Sequence, residues 1–113
     1  MARRSAVPRP LRTTEYTIVL VTRSAEQGWR DVVATQRNAV SAAWDRLTAD
    51  PLAEDLACHA LRGELSTVTH SGRDWVRRQL ELKRGARIWF TVDEDTRTVH
   101  VLAVHTHHPN ATK

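Results

Sequence analysis

A single cysteine, Cys58, stands among 113 residues. That excludes an internal disulfide framework and any cysteine-based zinc motif. Long apolar runs are missing too. The longest, Ile18–Val21 and Val101–Val104, hold four residues each, whereas a membrane-spanning helix needs about 20. No apolar stretch of secretory type follows the arginines near the start. Cytoplasmic residence without membrane insertion is therefore expected.

What the chain does have is an ordinary soluble composition, 41% hydrophobic and 27% charged. Its length fits one domain with a modest core. Lys and Arg outnumber Asp and Glu by 17 to 13, and the isoelectric point is about 10.2. Such a balance favours phosphate-rich or acidic partners, although many arginine-rich small proteins bind no nucleic acid.

Residues 1–14, MARRSAVPRPLRTT, combine four arginines and two prolines with no apolar periodicity. They form an expected flexible basic arm, leaving 15–113 as the folded domain. YTIVLVT, from Tyr16 to Thr22, is β-branched and predicts a strand buried on both faces. Ser24 offers a helix N-cap, with Gln27 completing a capping-box pattern. Trp29, Val32, Val33, Val40, Ala43, Trp44 and Leu47 then follow at helical spacing, with the two tryptophans expected as core anchors. Gly28 weakens the pattern locally. The pattern is long for one helix, so two are expected, broken near Gln36–Asn38 and ending before Asp50–Pro51.

Residues 51–63 are a connector. Residues 64–74 are ambiguous: ELSTVTH has strand propensity and HSGRD turn character. Three strands follow, WVRRQLELK at 75–83, ARIWFTVD at 86–93 and TVHVLAVH at 98–105. Arg84–Gly85 and EDTR supply the turns between them. Consecutive strands with short connections predict an antiparallel meander. The expected fold is α+β: an N-terminal strand, a two-helix hairpin, then a meander of three or four strands with the helices on one face.

Alternation splits each strand into two sets of side chains. Ile88, Phe90 and Val92 fall on one face, as do Val76, Leu80 and Leu82, with Arg78 as a misfit. These apolar sets are expected to meet the helices. The opposite face carries Arg77, Gln79, Glu81, Lys83, Arg87 and Trp89. A solvated sheet face is polar in any case. This one nevertheless combines cations that can hold phosphate, an indole that can stack a base, and a carboxylate that can take a proton. The strand 98–105 is apolar on both sides, so it is expected to be central and to deliver His105 to the edge of this face.

The tail VLAVHTHHPNATK gathers His105, His107 and His108. If the strand continues, His105 and His107 point the same way, and an H-x-H pair can hold zinc. A catalytic zinc needs a third protein ligand. His59, His70 and Asp93 are candidates, but their spacing does not require convergence, so no metal and no cofactor are expected. His59, His70 and His100 individually are expected to be ordinary surface or sheet residues. His108 precedes Pro109 and is expected to be extended.

The order of strand, helical pair, Asp50–Pro51, Leu61-Arg62-Gly63 and a meander containing LELKRGARIWFTVD resembles the RelE/ParE toxin superfamily. The resemblance covers about residues 16–113. It includes Gly85 followed by Arg87 and by Trp89 or Phe90, and a last strand ending in HTHHP. It implies a toxin of a type II toxin–antitoxin pair, neutralised by a cognate antitoxin. RelE-like members cut mRNA on the ribosome without a metal. ParE-like members act on DNA gyrase and are not nucleases, and a member that only binds a partner is a further alternative.

The resemblance places Glu81, Arg87 and His105 or His107 at catalytic positions of some nuclease branches. The lysine pair of other branches is absent, Lys83 being the only lysine assigned to this face, and no tyrosine or phenylalanine follows Phe90. On this reading Glu81 is a base, and His105 or His107 an acid. Arg87 and Arg77 clamp phosphate and Trp89 stacks a base, with Lys83, His108 and Lys113 as further RNA or phosphate contacts. The basic face would also suit an acidic, amphipathic antitoxin segment.

Overall fold

The computed structural model describes residues 5–107. The chain opens with β1 (Thr17–Leu20), then α1 (Arg23–Thr35) and α2 (Arg37–Ala49). After β2 (Cys58–Ala60) and a 3-10 turn at Gly63–Leu65 come β3 (Thr67–His70), β4 (Arg73–Val76) and β5 (Arg78–Glu81). A second 3-10 turn at Lys83–Gly85 leads into β6 (Arg87–Asp93) and β7 (Thr98–His105). Five strands form one sheet in the order β1-β7-β6-β5-β2, while β3 and β4 pair as a separate hairpin. Only β1–β7 is parallel in the large sheet. This is the α+β arrangement expected, with β7 interior, between β1 and β6.

Both helices cover one face. Ala25 and Val32 of α1, and Val40, Ala43 and Leu47 of α2, bury against Leu80, Ile88, Phe90, Val99, Val101 and Val104. Gly28 sits where α1 comes nearest to β7: a Cβ built there would lie 2.2 Å from the carbonyl oxygen of Val104. The residue that weakens the helical pattern is the one that lets the helix seat on the sheet. The two helices part at Gln36, whose backbone (φ −142°, ψ 49°) leaves the helical region.

Several expectations are corrected. Thr22, not Ser24, caps α1, its hydroxyl accepting from the Ala25 N–H at 2.9 Å. Ser24 already lies inside the helix. β1 is an edge strand that alternates in exposure rather than being buried on both faces, with Val19 40% exposed. Its outer side has no strand partner among the described residues.

Trp44 is not part of the buried core. It is half-buried, and the Arg9 guanidinium lies 5.2 Å from its ring centroid. Arg9 and Arg12 both pair with Glu15. These contacts, the Arg9 hydrogen bond first, hold the Glu15 carboxyl down to about 2.

The strand expected at 75–83 is two strands in different sheets. Ser71 and Gly72, both with positive φ (52° and 78°), form the two-residue turn between β3 and β4. Such turns match the twist of a hairpin and give β4 a local partner at little loop-closure cost. Val76 is consequently 57% exposed rather than facing the helices. Arg78, the misfit of the apolar set, does face the core side. It is 8% exposed, and its Nη2 donates to Glu54 at 2.9 Å and to the Leu52 carbonyl, while its Nε has no partner.

Candidate functional site

The sheet face away from the helices is organised in cross-strand rows. Glu81 at the end of β5 lies opposite Arg87 at the start of β6, which lies opposite His105 at the end of β7. One row of three adjacent strands thus gathers a carboxylate, a guanidinium and an imidazole. Arg87 Nη2 donates to Glu81 Oε1 at 3.2 Å. The Arg87 side chain is only 12% exposed and the Glu81 side chain 42%, so the cation is partly sunk while the carboxylate meets solvent.

The next row is Gln79, Trp89 and Ala103. Trp89 Nε1 donates to Gln79 Oε1 at 3.0 Å, which fixes the indole. The His105 ring stands edge-on to Trp89, centroids 4.5 Å apart, and the Arg77 guanidinium lies 5.3 Å from the Trp89 centroid. Partial burial and the neighbouring Arg87 charge push the His105 pKa below the ordinary histidine value. This favours the neutral ring, whose Nε2 is buried without a hydrogen-bond partner.

A β-bulge lies further along. The partners of β6 step from Ala103 opposite Trp89 to Val101 opposite Phe90, leaving Leu102 as the extra residue on β7. Strict alternation would put His100 and His105 on opposite faces. The bulge brings both to the same one, with His100 opposite Thr91. The β3–β4 hairpin packs over this end. His70 Nε2 lies 2.8 Å from Thr91 Oγ1, and the His70 ring stacks on Trp75 at 4.8 Å and meets His100 edge-on at 5.2 Å. Arg73 caps the stack, 3.6 Å from the Trp75 centroid. Burial, then His100 and Arg73, lowers the His70 pKa.

The structure thus brings together Glu81, Arg87, His105, Trp89 and Arg77. Lys83 is elsewhere. β5 ends at Glu81, so alternation no longer applies at Lys83, and the 3-10 turn carries it toward Ala39 and Leu82 on the helix side. β7 ends at His105, and His107 follows in a bend, exposed and outside the row. His108 and Lys113 lie outside the described residues. No group of three or more His, Cys, Asp or Glu residues among the described residues could hold a metal ion. His70 and His100, taken in the sequence as ordinary, and Trp75 with them, are the residues that sequence reasoning missed. Only the bulge would have revealed His100, and alternation gives no sign of a bulge.

Taken together, this is a RelE-like α+β fold whose free sheet face carries a carboxylate–guanidinium–imidazole row. No protein-family model matches the chain, and no curated protein matches it. Among solved structures it is similar to the crystal structure of the toxin–antitoxin complex RelBE2 from Mycobacterium tuberculosis, with a TM-score of 0.55 and 22% sequence identity. The match covers 80% of this chain and 96% of that one. The likeness establishes the fold. No helix among the described residues is long and apolar enough to cross a membrane.

Proposed function

We propose that the protein is the toxin of a type II toxin–antitoxin pair, a metal-independent endoribonuclease that cuts mRNA on the ribosome and is neutralised by an acidic antitoxin. The observation that carries this reading is the single row Glu81–Arg87–His105 beside the fixed indole of Trp89. Metal-free RNA cleavage needs a base for the 2′-hydroxyl proton, cations for the charge on phosphorus, and an acid for the departing 5′-oxygen. Attack of the 2′-oxygen on phosphorus breaks the bond to the 5′-oxygen, leaving a cyclic phosphate and a 5′-hydroxyl.

The geometry supports a change in the roles expected from sequence. His105, whose surroundings favour the neutral ring, is the base for the 2′-hydroxyl proton in this reading. Arg87 faces the charge that develops on phosphate, and Glu81 holds Arg87 in place through their ion pair. His107, exposed in the bend two residues beyond His105, is the acid in this reading. Arg77 contacts phosphate, while Trp89, only 9% exposed, backs Arg77 and His105 rather than stacking a base as the sequence suggests.

The test is cleavage of ribosome-bound mRNA by the purified protein and by Arg87→Ala, Glu81→Gln and His105→Ala, run beside gyrase supercoiling. Cutting that collapses in Arg87→Ala and His105→Ala supports the site. Full cutting by both variants removes it. Blocked supercoiling without cutting transfers the protein to the gyrase-directed alternative.

A further inference from the structure

A cleft of about 650 Å³ opens between the β3–β4 hairpin, the β1 edge and the free face of β6–β7. His70 borders it from the hairpin and Arg77 from the strand junction. Trp89, His100 and Leu102 border it from the sheet, and Val19 from β1. The volume is in the range of small-molecule sites, about 300–1,000 Å³. Among the described residues no carboxylate lines it.

Two polar groups in its wall are unmatched. Arg77 is half-buried and forms none of the ion pairs of the described residues. Its Nε, like Nδ1 of His100, has no hydrogen-bond partner. A partly desolvated cation without a counter-ion is unfavourable until an anion arrives. The remaining walls combine valine, leucine and alanine side chains and the edge of the Trp89 indole with the hydroxyls of Thr22, Thr69 and Ser71 and the His70 ring. An occupant that suits this lining carries an anionic group joined to a planar body with polar edges.

We propose that this cleft holds one nucleotide of single-stranded RNA, its base between the hairpin and the β1–β7 wall and its phosphate on Arg77. The inference rests on the ribonuclease reading. Trp89 belongs both to the cleft and to the row beside Arg87 and His105, so a strand with its scissile phosphate at Arg87 places a neighbouring nucleotide here. The hairpin, absent from the sequence expectation, is what turns a flat sheet face into a site.

Titration of the full chain with adenosine 5′-monophosphate, followed through the histidine ring signals by NMR, tests the site. Saturable shifts of the His70 and His100 signals are expected. Arg77→Gln should weaken binding about tenfold, by removal of a charge-assisted contact. Val68→Trp, which fills the cleft from β3, should abolish it. Unchanged affinity in both variants overturns the site. Equal affinity for ribose 5-phosphate also overturns it, because that marks a phosphate contact without a base pocket.

An acidic peptide that shifts the same histidines when the nucleotide does not would overturn it in favour of a protein partner. Thermal unfolding checks that each variant folds, and Arg77→Gln at a half-exposed position keeps the test decisive if Val68→Trp does not. The two readings separate cleanly. Nucleotide binding as described without any mRNA cutting sinks the ribonuclease and leaves the cleft. Cutting with nucleotide affinity indifferent to both variants does the reverse.

Discussion

Arg87 and Glu81 meet across β5 and β6 with Nη2 and Oε1 3.2 Å apart, and His105 stands opposite the same arginine on β7. An ion pair with one solvent-exposed partner adds about 1 kcal/mol or less to stability. Its value in a phosphate site is a different matter, since a preorganised donor facing developing charge is worth about 10²–10³ in rate. Arg87→Ala is therefore expected to lose mRNA cleavage by about that factor while urea unfolding moves little. Large destabilisation with proportionate loss of activity would show a structural role only.

A second expectation concerns acid. Burial lowers the pKa of both His70 and His105 below the ordinary 6.5, with His100 and Arg73 adding to the effect at His70 and Arg87 at His105. The folded state thus binds protons less readily than the unfolded chain. Stability from these two groups is complete above 6.5. It declines as pH falls from that value through the lowered folded pKa of each histidine. The ion-paired carboxylates Glu15 and Asp55, and Asp93, which accepts hydrogen bonds from Thr96 and Asp95, act in the same direction, but only at more acidic pH. Thermal unfolding between about pH 8 and about pH 5 should show the midpoint dropping on the acid side. His70→Gln, which removes one of the two groups, should flatten that slope. A slope equal to wild type would mean His70 is not a source of the acid sensitivity.

Much of this was legible in the residues. The 3.6-residue pattern, the break near Gln36 and the turns at Arg84–Gly85 and after Asp93 follow from local chemistry, and so does the grouping of Glu81, Arg87 and Trp89 by alternation. What alternation cannot supply is a change of partner or an extra residue. β4 and β5 are continuous in propensity, and only the Ser71–Gly72 turn diverts the first into a hairpin. Lys83 was misplaced because the strand ends two residues earlier. His100 was missed because Leu102 shifts the phase of β7. Such features arise from tertiary pairing, which a periodicity read along one strand does not contain.

Gly28 offers a test of packing against propensity. Alanine is the better helix former by about 1 kcal/mol, so a solvent-facing Gly→Ala change would stabilise α1. Here the new Cβ would lie 2.2 Å from the Val104 carbonyl oxygen and 2.8 Å from its Cβ. Helix and strand must separate, and overpacking of this kind costs about 1–3 kcal/mol. Gly28→Ala should lower the urea midpoint, and an increase would show that α1 is not seated on β7 as described.

The start of α1 separates the two candidate caps. Thr22 is extended (φ −134°, ψ 159°), its hydroxyl accepts from the Ala25 N–H at 2.9 Å, and it donates to the Leu102 carbonyl at 3.0 Å. The same oxygen therefore caps the helix and ties it to the bulged residue of β7. Thr22→Ala should cost about 1–2 kcal/mol, the range for losing a cap, and Thr22→Ser should restore most of it. Ser24, exposed and already helical, has no such partner among the described residues. Ser24→Ala should be neutral or slightly stabilising, because alanine has the higher helix propensity. Equal losses from Thr22→Ala and Ser24→Ala in parallel urea titrations would return the cap to Ser24.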